Sequence, residues 1–206
     1  VQELDRLASA QRPDSDLGKL KAAAGKDYVQ VDPAVYEMID FAKTYSEKSQ
    51  GAWDITTGVI TDLWGIGTDN QRIPSNEEIT AAESLVNYKD ILLRPEDHSV
   101  KLAKAGMSID LGGIAKGYAV DEVRAIFAKH HIENGLINLG ASSMYALGSN
   151  AKGGPWRIGI KHPRNDDKDT YLGIVAVSNE NISTSGDYER FFEENGVRYH
   201  HIFDPK

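Results

Sequence analysis

The run from Met107 to Asp121 combines residue types that can bind a phosphate group. A short apolar run ends at Asp110, the pair Gly112-Gly113 permits a tight turn, and a helical pattern of apolar residues follows. The first turn of such a helix presents unpaired N–H groups and the positive end of the helix dipole. Lys116 adds a positive charge there. The pattern predicts a strand, a glycine turn and a helix that bind a phosphate, with Asp110 holding a sugar hydroxyl, an amine or a metal beside it.

This stretch is not one of the common nucleotide-binding loops. It lacks the GxxxxGK(S/T) spacing of a Walker loop and the GxGxxG pattern of a dinucleotide-binding fold. An ordinary strand-to-helix turn with an exposed lysine would show the same pattern. Both interpretations stay open on this stretch alone.

A second stretch, from Gly51 to Gly67, mixes tryptophan, aspartate, threonine and glycine too closely for a regular strand or helix. Two interpretations are possible. The stretch lines a ligand, and a planar aromatic molecule would suit it, or it is a tight loop in which Trp53 and Trp64 fill the core.

The segment from Tyr188 to Phe203 predicts a β-hairpin that turns at Asn195-Gly196. Strand alternation places His200 and His201 on opposite faces, so at most one of them faces a common site. A single histidine on a strand is usually structural, but one beside the turn at Ser185-Gly186-Asp187 is a candidate general base.

Composition limits the possible partners. The 206 residues carry a net charge of −8, which argues against nucleic acid or an anionic membrane as the partner. There is no cysteine, so a disulfide framework, a thiolate metal site and a cysteine nucleophile are excluded. An acidic protein that binds a phosphate needs a local cation, and Lys116 or a divalent metal would serve.

Helical patterns come early in the chain and strand patterns late, which predicts an α+β fold with a mixed sheet. The turn Pro13-Asp14-Ser15-Asp16 is predicted to cap a short helix that runs through Ala24. Further helices are predicted to begin after Asp32, with proline in the first turn, and at a capping box that opens at Ser75 and leads a helix to about Tyr88. Two helices have apolar residues at helical spacing, which are predicted to face the core. They are Val35, Met38, Ile39, Ala42 and Tyr45 in one helix, and Val120, Val123, Ile126 and Phe127 in the other. A hairpin is predicted over residues 90–103, and strands over 136–140, 144–148, 156–160, 173–178 and 181–184.

Four motifs of this chain, in their order and spacing, resemble the ApbE family of FAD:protein FMN transferases. They are Gly51 to Gly58 with Leu63-Trp64-Gly65, Asp110 to Asp121, Ser183 to Tyr188, and Arg198 to Pro205. The resemblance covers essentially all 206 residues. It implies a single ApbE-like domain over residues 1–206, truncated at both ends. The implied architecture is α+β and T-fold-like, a mixed, largely antiparallel sheet with flanking helices.

The resemblance implies an enzyme that binds FAD as substrate together with Mg²⁺ and splits the pyrophosphate of FAD. FMN would pass to a threonine hydroxyl of an acceptor protein through a phosphoester bond, and AMP would be released. An FAD pyrophosphatase and a non-catalytic flavin-binding lipoprotein are the alternatives with the same fold. The resemblance also implies export to the cell surface or the periplasmic face of the membrane, with a lipid anchor in the full-length protein. The sequence gives no indication of the oligomeric state.

The resemblance assigns six residues to FAD, five of them in the first two motifs. Ala52, Trp53 and Asp54 match the flavin-binding loop of the family. Asp110 and Lys116 match its FAD contacts around the glycine turn.

The resemblance also assigns one metal-ligand position and one catalytic base. Gly113 matches a metal-ligand position, which a glycine can fill only through its carbonyl oxygen. His201 matches the histidine of the Tyr-x-His-Ile motif and is the expected base, with Ile202 beside the cofactor. We interpret Asp187 as a residue that orients His201 or the incoming hydroxyl.

The chain departs from the family pattern in three places. The Gly-Gly-Asp usual after the Asn-x-Gly strand is Gly140-Ala141-Ser142 here, and the asparagine found a few residues after Ser15-Asp16-Leu17 is Lys21. The remaining metal ligands of the family, an aspartate and a serine or threonine, lie beyond the position of Pro205.

Overall fold

The computed structural model describes residues 1–164 and 170–203, which form two compact units. The first unit comprises Val1–Ala115 and Arg190–Lys206, and the second comprises Lys116–Glu189. Asp204 and Pro205, the end of the last sequence motif, lie outside the described residues, as does the polar loop at 165–169. In the part of the chain that is described, no helix is long and apolar enough to cross a membrane.

Helices and strands are numbered in chain order. The helices are α1 (Gln2–Ala8), α2 (Asp16–Ala23), α3 (Pro33–Lys48), α4 (Gly58–Trp64), α5 (Asn76–Glu83) and α6 (Ala115–Lys129), with short 3-10 helices at Ile55–Thr57 and Tyr88–Asp90. The strands are β1 (Val29–Gln30), β2 (Ile91–Arg94), β3 (Ser99–Leu102), β4 (Gly135–Leu139), β5 (Ser143–Leu147), β6 (Trp156–Lys161), β7 (Tyr171–Val177), β8 (Glu180–Ser183), β9 (Phe191–Glu194) and β10 (Val197–His200).

Three predicted helix starts are confirmed, each by a side chain that accepts a hydrogen bond from a free N–H of the first turn. Ser15 caps α2, and Asp32 caps α3 with proline following it. Ser75 and Glu78 form the complete capping box at α5. The helix α5 ends at Glu83, earlier than predicted, and the chain continues into the second 3-10 helix.

The core of the first unit is built on α3. Val35, Met38, Ile39 and Ala42 are fully buried, as predicted. The prediction for Tyr45 is wrong, because its side chain is 45% exposed. The buried line of the helix continues to Ser46 instead, so Tyr45 falls at the edge of the core face.

The hairpins of the first unit follow from local sequence. β2 and β3 pair antiparallel, and β1 adds to the other edge of β3, which confirms the hairpin predicted over residues 90–103. β9 and β10 pair through the turn at Asn195 and Gly196, whose φ angles are 52° and 76°. Positive φ at both central residues is the geometry that an Asn-Gly hairpin turn requires.

The second unit places α6 with two small sheets, ordered β4-β5-β8 and β6-β7. Val120 of α6 packs on Ile137 and Tyr145, with Val123 and Phe127 at the margin of this cluster. Ile126 was predicted to join them, but it is 53% exposed because it lies beside the line that those residues form on the helix. All strand pairs of the described residues are antiparallel, and the α+β class is confirmed.

The predicted strand that ends at Asp110 is wrong. Residues 107–110 take part in no strand of the described chain, although Met107, Ser108 and Ile109 are buried. The backbone of Ile109 packs against Gly58 at the start of α4, and the N–H of Asp110 donates to the carbonyl oxygen of Ile55 at 2.9 Å. The glycine turn and the helix that follow are confirmed, since α6 begins at Ala115.

Substitution of Gly58 by alanine should destabilise the protein by about 2 kcal/mol, because the added Cβ would overlap a packed backbone. That Cβ would lie 2.7 Å from the carbonyl carbon of Ile109, and backbone atoms cannot rotate away. Denaturant unfolding of Gly58→Ala against the unsubstituted protein measures the loss. Gly117→Ala is the matched control, since its Cβ meets nothing within 4 Å and alanine favours the helix. Equal stability of the Gly58→Ala protein would contradict the packing described.

Candidate functional site

The glycine turn of the first unit holds Asp110 in one position. Oδ1 of Asp110 accepts a hydrogen bond from the N–H of Gly112 at 2.7 Å, and its own N–H is bonded to Ile55. A Cβ on Gly112 would lie 2.9 Å from that same oxygen, so a side chain there would displace the carboxylate. Asp110 is half-buried, and one hydrogen bond to its carboxylate and one from its backbone N–H hold it in place.

Trp53 lies directly on this turn. A Cβ on Gly113 would be 3.3 Å from the indole Nε1, so the indole lies against the Gly113 backbone. The N–H of Trp53 donates to the hydroxyl of Ser49 at 3.1 Å, which ties the loop to the end of α3. Ala52 beside it is exposed. The structure therefore brings together two of the predicted positions, the flavin-binding loop and the glycine turn.

An open groove of about 300 Å³ adjoins this contact. Phe41, Tyr45, Trp53, Gly113 and Ile114 line it. The rings of Phe41 and Tyr45 are 4.6 Å apart between centroids, and both side chains are about half exposed. Exposed aromatic side chains around a groove suit a planar aromatic ligand, because such a ligand can pack on their faces. Sequence reasoning missed Phe41 and assigned Tyr45 to the core; the signal was an aromatic pair one helical turn apart at the edge of the apolar face.

Asp54 holds the tryptophan loop in place. Its Oδ1 accepts from the N–H and the hydroxyl of Thr56, at 2.8 Å and 2.6 Å, and its Oδ2 accepts from the N–H of Tyr88 at 2.8 Å. The Thr56 hydroxyl in turn accepts from the N–H of Asn87 at 2.8 Å. These bonds give Asp54 a structural role next to Trp53. Its contact with FAD stays a prediction.

His201 is oriented by one carbonyl group. The Arg190 oxygen lies 3.1 Å from the Nδ1 of His201 and accepts its backbone N–H at 3.3 Å. Because a carbonyl oxygen can only accept, Nδ1 carries the hydrogen, and the neutral ring has its lone pair on Nε2. Ile202 follows with a side chain that is 43% exposed.

The surroundings of His201 keep the ring neutral. Burial lowers the pKa of His201 below its ordinary value, and the nearby charges of Arg190 and His200 lower it further. The hydrogen bond to the Arg190 carbonyl and the charge of Asp110 act the other way, and the net direction of the pKa is down. A neutral imidazole with a free Nε2 lone pair is the form that can accept a proton at neutral pH.

An aromatic stack supports the hairpin that carries His201. Trp64 lies 5.4 Å from Tyr199, and Tyr199 lies 5.2 Å from Phe192, between ring centroids. Trp64, the second tryptophan of the motif, is half-buried and packs on this hairpin, whereas Trp53 borders the groove.

Lys116 opens the second unit and has a partner that sequence reasoning missed. Its Nζ donates to the hydroxyl of Ser142 at 2.6 Å, on the turn that joins β4 and β5. No feature of the sequence linked these residues, which are 26 positions apart.

Asp187 lies in the second unit and forms an ion pair with Arg164. The two carboxylate oxygens accept from the two terminal nitrogens of the guanidinium at 2.9 Å and 2.6 Å. This bidentate geometry is the strongest form of a carboxylate pair with arginine. The pair gives Asp187 a described partner other than His201, and its role in orienting His201 or a hydroxyl stays a prediction.

The described residues do not make a complete metal site by themselves. Within residues 1–164 and 170–203, no group of three or more histidine, aspartate or glutamate side chains could hold a metal ion. The carbonyl oxygen of Gly113, on the turn beside Trp53, is the single ligand position that the sequence predicted.

The chain resembles known proteins both in sequence and in fold. The chain is 36% identical over 218 residues to the FAD:protein FMN transferase of Treponema pallidum (strain Nichols), a match that covers 100% of this chain and 60% of that protein. The crystal structure of the ApbE protein of Thermotoga maritima superposes with a TM-score of 0.90 at 36% identity, over 98% of this chain and 65% of that one. The apo form of the flavinyl transferase ApbE of Pseudomonas stutzeri gives a TM-score of 0.83 at 32% identity, over 99% of this chain and 62% of that one.

The chain thus spans less than two thirds of the length of these relatives. The family model described as the ApbE family matches residues 1–206, the entire chain. With the motifs in their expected order and a shared fold at more than 30% identity, this chain belongs to the ApbE family.

Proposed function

We propose that the protein transfers FMN from FAD to a hydroxyl group of another protein. The observation that carries the proposal is the aromatic groove, in which Trp53 lies on the backbone of Gly113 beside Phe41 and Tyr45. A groove of about 300 Å³ with aromatic walls can hold a ring system of the size of a flavin. The names of the relatives, FAD:protein FMN transferase and flavinyl transferase, support the same activity.

The proposed reaction is a phosphoryl transfer from a pyrophosphate. The oxygen of a threonine hydroxyl forms a bond to the phosphorus on the FMN side of FAD. The bond from that phosphorus to the bridging oxygen breaks, and AMP leaves with the bridging oxygen. The Nε2 of His201 takes the hydroxyl proton, since it carries the lone pair of a neutral ring.

The negative charge of the pyrophosphate has to be balanced for this attack. We propose that Lys116 supplies one positive charge and that Mg²⁺, when bound, supplies the rest, with the Gly113 carbonyl as one of its ligands. Asp110, fixed at the glycine turn, is proposed to contact FAD. The threonine as acceptor, the release of AMP and the magnesium requirement are parts of this proposal that rest on the family resemblance.

The family resemblance also supports a location. We propose that the protein works outside the cytoplasm, at the cell surface or the periplasmic face of the membrane, with a lipid anchor. A chain without cysteine is compatible with an oxidising compartment.

The AMP released from FAD by the whole protein tests the proposed chemistry. Liquid chromatography should detect AMP when FAD, Mg²⁺ and a threonine-bearing acceptor peptide are all present, and none after EDTA treatment. His201→Ala should slow the release on the order of a hundredfold, the usual contribution of a general base. His200→Ala is the matched control, since it removes the neighbouring ring and leaves that of His201 in place.

Two other results of the AMP assay would contradict the proposal. FAD that binds and stays intact would identify a flavin-binding protein without catalysis. AMP release that His201→Ala leaves unchanged would remove His201 from the mechanism.

The rate of AMP release should fall at acid pH as His201 gains a proton. Because burial lowers the pKa of His201, the midpoint of this fall should lie below 6.5, its ordinary value, and the rate should be constant from that region up to neutral pH. An NMR titration of the His201 ring gives the same midpoint directly. Asp110→Asn should move the NMR midpoint further down, since the Asp110 charge raises the pKa of His201. A midpoint above 6.5 would contradict the described environment.

A further inference from the structure

The ammonium group of Lys116 lies on a tight turn of the second unit. Its Nζ donates to Ser142 Oγ at 2.6 Å, and a Cβ built on Gly140 would be 4.0 Å from the same nitrogen. The turn joins β4 to β5 and holds two consecutive residues, Gly140 and Ala141, at positive φ, 64° and 58°. Lys116 itself is exposed, and among residues 1–164 and 170–203 the contact with Ser142 is the hydrogen bond that locates its charge.

The turn that carries Ser142 is held from both sides. The Asn138 side chain accepts the N–H of Ala141 at 2.8 Å, and the Ser142 carbonyl accepts the N–H of Thr184 at 3.0 Å. Ser143 pairs with Ser183 in the adjoining sheet. A hydroxyl on such a turn is a fixed acceptor, because the backbone on each side of it is hydrogen-bonded.

A fixed hydrogen-bond acceptor restricts the position of a lysine ammonium group, which is otherwise very mobile. The four-carbon chain of lysine has a large rotamer entropy to lose, and a free ammonium samples many positions. A charge stabilises a transition state best when it is already in place, since no reorganisation is then needed during the reaction.

We propose that Ser142 is a positioning residue that holds the Lys116 ammonium where it meets the pyrophosphate of FAD. The inference rests on the proposed function, in which Lys116 balances phosphate charge. Ser142 is not a second nucleophile in this account, because an ammonium donates to the hydroxyl and cannot take its proton.

A double-mutant cycle tests the coupling of the two side chains. The rate of AMP release is measured with the unsubstituted protein, Ser142→Ala, Lys116→Met and the double variant, at varied FAD concentration. Ser142→Ala should lower kcat about tenfold, as expected for the loss of a hydrogen bond to a charged group, with a smaller change in KM for FAD. In the Lys116→Met background the same substitution should have no further effect. Additive losses in the two backgrounds would overturn the proposal.

Two further variants separate positioning from folding. Ser143→Ala, one residue along, removes a neighbouring hydroxyl that is not the described partner of Lys116, and it should leave kcat close to that of the unsubstituted protein. Ser142→Thr keeps a hydroxyl and should restore most of the rate. Melting temperatures of all variants identify any loss that comes from unfolding.

The position of the lysine can also be measured without catalysis. Nitrogen-15 relaxation of the Lys116 ammonium should show a more ordered group than the exposed Lys129, and Ser142→Ala should abolish the difference. A protein that releases no AMP would overturn the proposed function, and the relaxation data would then decide whether Ser142 holds Lys116. A Lys116 ammonium as mobile as that of Lys129 would overturn the inference even in an active protein.

Discussion

The contact between two backbones, at Gly58 and at Ile109, is the constraint on which the site of the first unit depends. With no side chain at position 58, the start of α4 lies against the segment that leads to the glycine turn. The hydrogen bond from the N–H of Asp110 to the carbonyl oxygen of Ile55 then holds the end of that segment against the 3-10 helix at Ile55–Thr57. These two contacts bring the tryptophan loop and the glycine turn together, and Trp53 lies on Gly113 as a result. In a strand at 107–110 the backbone N–H and carbonyl groups would bond to a neighbouring strand. The N–H of Asp110 would then not be available to Ile55, and the glycine turn would not lie beside the tryptophan loop.

The ionisable residues of the first unit, Asp54, Asp110 and His201, have different hydrogen-bond partners. Asp54 is used to hold the loop, with both carboxylate oxygens accepting from the protein. Asp110 stays at the turn and acts on the pKa of His201 across the first unit. His201 is kept neutral by burial and oriented by a carbonyl that leaves Nε2 for another partner. Asp54 and Asp110, which belong to different motifs, thus differ in how far their carboxylate oxygens are already bonded within the protein.

The sequence predicts well what is decided within a few residues. The caps at Ser15, Asp32 and Ser75 and the Asn-Gly hairpin are local choices of the backbone, and the structure has all of them. Predictions failed where distant parts of the chain decide the outcome. Tyr45 has the right spacing for the core, but the buried line of α3 runs through Ala42 and Ser46, and Tyr45 lies beside that line.

In the candidate site, too, the features set by nearby residues could be predicted and those set by distant contacts could not. The tryptophan loop and the glycine turn are recognisable from motifs, since their residue types are unusual in such close spacing. The acceptor for Lys116 was missed because a serine at a strand turn has no distinguishing pattern, and its partnership depends on how the turn between β4 and β5 is folded. The cap that Asp54 makes on the 3-10 helix at Ile55–Thr57 is local, but its second bond, from the N–H of Tyr88, joins residues 34 positions apart and has no signal in the sequence.

The measurement that tests this account most directly is the intact mass of a threonine-bearing acceptor peptide after incubation with the whole protein, FAD and Mg²⁺. The account predicts a gain equal to one FMN on the peptide, and no gain on a peptide in which valine replaces the threonine. An unmodified peptide in the presence of free FMN and AMP would contradict transfer to a hydroxyl and would identify the protein as a hydrolase of FAD.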